Sequence, residues 1–182
     1  VQDASTTACS QQQNDSVIIT VNPLPTAVIN GSTVICKEAT SPTVELIGTL
    51  GTAPFTFTYT INGGVTQTVT STNGDTAFIA ASTAVDGTFI YKLLGVTDSS
   101  STTCYQAQND SITIIVEPLP TATIHGTDTV CQFAQAPELT FVGYGGVAPY
   151  TFNYLLNGVV QPPITTVAGD SITIQAPTAI TG

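Results

Sequence analysis

The chain of 182 residues has no arginine, no methionine and no tryptophan, and its only cations are Lys37 and Lys92. With a formal net charge of -10 it has no clustered Lys and Arg to neutralise phosphates, which excludes a nucleic-acid partner and disfavours anionic membrane surfaces. No apolar run approaches the roughly 20 residues of a membrane-spanning helix, so no membrane insertion is expected in this segment. No stretch carries a helical period either. Histidine occurs once, as His125, with no serine or cysteine partner near it in sequence, so nucleophilic catalysis has no candidate site. No enzyme activity and no cofactor are expected.

What the chain does have is itself, repeated. Pro23-Leu24-Pro25-Thr26-Ala27 returns as Pro118-Leu119-Pro120-Thr121-Ala122, and Gln13-Asn14-Asp15-Ser16 returns as Gln108-Asn109-Asp110-Ser111. Cys9 returns as Cys104, Cys36 as Cys131, and Ala53-Pro54 as Ala148-Pro149. At an offset of 95 residues without insertion or deletion, 40 of 87 positions are identical. Units this alike do one job many times, which suits spanning and multivalent contact better than chemistry. The register predicts a fragment of a longer array: the end of one unit (1–22), one complete unit (26–117) and the first two thirds of another (121–182). About 92 residues is enough for a single small core.

Two cysteines at fixed places in each unit predict one disulfide per unit, and hence an extracellular compartment. In the complete unit that pair is Cys36 with Cys104, worth about 4 kcal/mol on the chain-entropy argument. A second scheme bridges the unit boundary, pairing Cys9 with Cys36 and Cys104 with Cys131. Zinc is disfavoured by the lack of a C-x-x-C motif and by the single histidine.

Phe55-Thr56-Phe57-Thr58-Tyr59-Thr60-Ile61 alternates aromatic and threonine, the pattern of a half-buried strand, and Tyr150–Leu156 keeps the aromatic face. Each run ends at Asn-Gly (Asn62-Gly63, Asn157-Gly158), the signature of a type I′ hairpin turn. Further strands are expected at 27–29, 33–36, 44–47, 65–70, 76–80, 88–96 and 111–116. Turns are expected at Asn30-Gly31, 48–51, Asn73-Gly74 and Asp86-Gly87. Seven or eight short strands with one apolar face predict an all-β antiparallel sandwich. The Pro-Leu-Pro link between units should be short and extended, because proline fixes its own φ and restrains the residue before it.

Taken together, the run P-L-P-T-A-x-I-x-G, a cysteine soon after, A-P-[FY]-T-F-x-Y before N-G, and a late cysteine ahead of Q-x-Q-N-D-S-x-x-x-x-V resemble the immunoglobulin-like, PKD-like repeats of giant Bacteroidetes surface adhesins. These include the gliding-motility adhesins of the type IX secretion system. The resemblance covers essentially the whole chain. It implies tandem immunoglobulin-like units in the stalk of a filamentous cell-surface protein. The expected partners are adjacent repeats of the same chain and a surface polysaccharide or other cell-surface target. Two other roles are open to such units: spacers in a secreted polysaccharide-degrading enzyme, and glycan-binding modules.

Five short segments read Asp, hydroxyl residue, apolar residue, at Ser16, Thr76, Ser111, Thr129 and Ser171. This is similar to the O-glycosylation signal of exported Bacteroidetes proteins, and the resemblance makes these five hydroxyls candidates. The competing reading is a turn just before a strand. Asn14, Asn30 and Asn109 stand in N-x-[ST] sequons, a weaker lead. Calcium would need roughly six to eight converging oxygens. The joints offer only Asn22 and Glu117, so no metal site is expected. Glu38 and Glu45 match Phe133 and Thr140, so no acidic pair recurs. His125 matches Asn30 and is expected to be a turn residue. Tyr105 and Tyr144, unmatched by aromatics, are expected at the surface.

Overall fold

A computed structural model describes residues 1–72 and 74–179. Asn73, half of the turn expected at Asn73-Gly74, and residues 180–182 of the last segment lie outside the described residues. All regular structure among the described residues is strand, which bears out the all-β class.

Residues 26–117 carry eight strands: β1 (Thr26–Asn30), β2 (Thr33–Cys36), β3 (Thr43–Thr49), β4 (Thr56–Ile61), β5 (Gln67–Thr70), β6 (Thr76–Ala80), β7 (Gly87–Thr97) and β8 (Tyr105–Glu117). They form two sheets, ordered β1-β3-β6 and β2-β8-β7-β4-β5. Both contribute to a single core. Ile29, Val44, Leu46 and Ala77 of the first sheet meet Phe57, Tyr59, Leu93, Val96, Ile114 and Val116 of the second. Burying a Leu, Val or Phe side chain stabilises by about 1.5–3 kcal/mol, so this shared core is what holds the sheets face to face. The architecture is consistent with a β-sandwich.

One feature departs from the expected antiparallel pairing. β2 runs parallel to β8, with Cys36 opposite Glu117. The cause lies at Asn30-Gly31-Ser32, where the chain leaves the first sheet and joins the edge of the second without reversing. Gly31 has φ 118°, and a Cβ there would lie 2.5 Å from the Thr43 carbonyl oxygen. The turn at Asn62-Gly63 is as expected, with φ 51° and 67° and the Gly64 N–H donating to the Ile61 carbonyl at 2.9 Å.

The last segment holds β9 (Thr121–His125), β10 (Glu138–Tyr144), β11 (Thr151–Phe152), β12 (Leu155–Leu156), β13 (Val159–Val160), β14 (Ile164–Thr165) and β15 (Ser171–Gln175). Its three-stranded sheet, β15-β10-β9, has the pairing of β6-β3-β1. Individual bonds are shared too. The Phe55 N–H donates to Ser71 Oγ at 2.8 Å, and the Tyr150 N–H to Thr166 Oγ1 at 2.9 Å. Gly48 donates to the Asp75 carbonyl as Gly143 does to that of Asp170, and Thr83 Oγ1 donates to Ala39 as Thr178 does to Ala134. The peptides before Pro54 and Pro149 are both cis.

The two segments differ in how well they are covered. Ile29 is 4% exposed under β7 and β8, whereas its counterpart Ile124 is 57% exposed, with no such strands over it among the described residues. Likewise Val17, Ile19 and Val21 are more than four fifths exposed, while their counterparts Ile112, Ile114 and Val116 are buried in β8.

Candidate functional site

The two cysteines of residues 26–117 fall at opposite ends of their sheets. Cys36 closes β2 beside Glu117, at the end where the chain passes through Pro118-Leu119-Pro120 to β9. The neighbouring Lys37 N–H donates to the Glu117 carbonyl at 2.8 Å. Cys104 precedes Tyr105, the first residue of β8, at the opposite end. A strand of 13 residues separates them by roughly 40 Å at about 3.3 Å per residue, while a disulfide needs Cα atoms within about 7 Å. The β8 strand therefore holds the two cysteines of the expected Cys36–Cys104 bridge apart, and none of the four cysteines is bonded to another. Cys131 takes the same local turn as Cys36, its carbonyl accepting the Ala134 N–H at 3.0 Å as that of Cys36 accepts the Ala39 N–H at 3.2 Å.

The Cys104 end is built on Asp98, which is buried. Its Oδ1 accepts the Cys104 N–H and the Ser100 hydroxyl, both at 2.8 Å, and its Oδ2 accepts the Thr52 N–H at 3.2 Å. Burial pushes the carboxyl up, but the bonds from Ser100, Thr52 and Cys104 outweigh it and hold the group below the usual carboxylate range. Thr102 Oγ1 lies 3.1 Å from Cys104 Sγ. The same turn forms at the start of the chain, where Asp3 Oδ1 accepts the Ser5 hydroxyl at 2.7 Å and Thr7 Oγ1 lies 3.2 Å from Cys9 Sγ. There the hydroxyls of Thr7 and Ser5 hold the Cys9 thiol below its ordinary range. Sequence reasoning missed this turn. Its signal was the identity of Asp3, Ser5, Thr7 and Cys9 with Asp98, Ser100, Thr102 and Cys104.

Across the joint, Cys36, Glu117 and Pro120 share a cavity of about 390 Å³ with Val147, Pro149 and Tyr150. At the other end, Asn22 donates from Nδ2 to Thr102 Oγ1 at 3.0 Å and to Ser101 Oγ at 3.3 Å.

The five hydroxyl candidates do not come together. Ser16 is exposed in a segment without strands, and Thr129 is exposed with its N–H on Asp128 Oδ1 at 2.7 Å. Thr76 and Ser171 open β6 and β15, as the strand-start reading requires, Thr76 half-buried and Ser171 exposed. Ser111 departs from it, standing exposed in the middle of β8 opposite Lys92. Asn14 and Asn109 are exposed, as is Asn30 at the end of β1.

His125 ends β9, with Nε2 3.2 Å from Thr123 Oγ1. Tyr105 and Tyr144 are about half exposed. Among the described residues no group of three His, Cys, Asp or Glu side chains could hold a metal ion, and no helix is long and apolar enough to cross a membrane. Compared with known protein families and with curated proteins, the chain matches none.

Proposed function

We propose that this chain is part of a tandem immunoglobulin-like repeat array with a period of 95 residues, forming the stalk of a filamentous cell-surface adhesin. Its units are 1–22, 26–117 and 121–182. The role is extracellular and structural, in surface attachment and gliding after type IX export, and not catalytic. The observation that carries this reading is that matched residues make matched hydrogen bonds in successive segments. Only three residues, two of them proline, separate β8 from β9. A link that short and that restrained passes orientation from one unit to the next, as a stalk requires.

Antibodies raised against residues 26–117 should label intact host cells and block their attachment. Deleting whole units should shorten the surface filament by about 40 Å each, the length of a strand such as β8. Labelling only after lysis, or filaments of unchanged length, would overturn the reading. A hydrolase domain on the same full-length chain would favour the spacer role instead.

A further inference from the structure

Two thiols per unit at opposite poles, neither able to reach the other, raise the question of what each faces. The answer comes separately from each pole. At the entry pole, Asn22 stands where Glu117 stands in the next unit, one residue before Pro-Leu-Pro. Cys36 is the in-register neighbour of Glu117, within about 5 Å Cα to Cα. The cysteine that matches Cys36 in a preceding unit therefore neighbours Asn22. Asn22 is bonded to Thr102 Oγ1, and that oxygen lies 3.1 Å from Cys104 Sγ.

At the exit pole, Cys36 shares its cavity with Val147 and Pro149. Their counterparts in the complete unit, Thr52 and Pro54, are covered by the turn that leads to Cys104. Thr52 donates to Asp98, Ser99 N–H donates to the Thr52 carbonyl at 2.8 Å, and Ser99 Oγ donates to the Pro54 carbonyl at 2.7 Å. The matching turn of a second unit would sit on Val147 and Pro149, beside Cys36. Both poles specify the same neighbour.

We propose that successive units are stapled across each joint by a disulfide between Cys36 of one unit and the cysteine matching Cys104 in the next. The inference rests on the tandem-repeat reading above. In forming the bond the two thiols lose two protons and two electrons to the disulfide of a thiol–disulfide oxidant, which leaves as a dithiol or two thiols. Cys104 and Cys9 take partners from units before them, and Cys36 and Cys131 from units after them. No two of the four pair with each other.

The test is the present chain extended after Gly182, which matches Gly87, by a copy of residues 88–117. This supplies the strands and the Cys104-bearing turn that the second unit would need. After oxidation with oxidised glutathione, non-reducing peptide mapping should find Cys36 linked to the copied cysteine, and the Cys36→Ser variant should lose that linkage altogether. A Cys36–Cys104 or Cys104–Cys131 linkage, or free thiols throughout in an extension that folds, overturns the staple and leaves the repeat reading standing. Folding of the extension is read separately by hydrogen exchange. Amides of β9 and β10 should become protected as Ile124 is covered. An extension that stays unprotected overturns the repeat reading and the staple with it.

Discussion

Asp98 and Gly48 show how far single residues set this fold. Asp98 takes three hydrogen bonds in a buried turn, and its carboxyl is held below its ordinary range. Because the folded state binds this proton less readily than the unfolded chain, the linked stability is present above the unfolded value near pH 4. It is lost as pH falls through the lower folded value. Asp98→Asn should therefore lower the melting temperature at neutral pH, since an amide cannot accept from donors on both sides. It should also flatten the acid limb of a melting-temperature profile below about pH 4. An unchanged acid limb would remove Asp98 from this role. Gly48 lies under the Phe55 ring, and a Cβ there would fall 2.5 Å from the ring carbon Cγ, as it would at Gly143 against Tyr150. Gly48→Ala should cost about 1–3 kcal/mol through overpacking, read as a lower melting temperature of residues 26–117. An unchanged melting point would mean that the ring does not rest on this glycine.

At the scale of the strand, β8 is the element that most changes the reading of the chain. It has only β7 beside it over Ser111, because β2 pairs with residues 114–117 alone. The exposed hydroxyl of Ser111 therefore stands on an open edge, where a sugar would block pairing with another chain. Intact-glycopeptide mass spectrometry of protein from its native host should find glycans among Ser16, Thr76, Ser111, Thr129 and Ser171, with Ser111 occupied. Bare side chains at all five would leave the Asp-hydroxyl pairs as backbone-bonding residues, as Asp110 Oδ1 already is for the Ser111 N–H at 2.8 Å. What was legible in sequence follows the same logic. β4 announced itself because its inward face is aromatic and its outward face threonine, and Asn62-Gly63 because its turn needs two positive φ values. The first half of β8 did not, because Gln106 to Asp110 has no large apolar side chain on either face and is held by its ladder to β7 rather than by burial. The pairing of Cys36 with Cys104 rested on the count of two cysteines per unit, which carries no distance, and the length of β8 supplies that distance. The parallel seating of β2 was equally hidden, since alternation fixes which face is buried and says nothing of the neighbour's direction.

At the scale of the whole molecule, the chain enters residues 26–117 at β1 and leaves them from β8, by opposite poles. β2 continues the direction of β1 and lies parallel to β8. Tension applied between the two ends therefore drags β2 and β8 past each other along their length. Their hydrogen bonds, evenly spaced and slanting across the direction of pull as in any parallel pair, are strained together and must fail together. An antiparallel seating of β2 would have opened bond by bond from one end, like a zip. The parallel pairing thus makes this edge of the sheet a mechanical clamp, suited to a tether that is pulled.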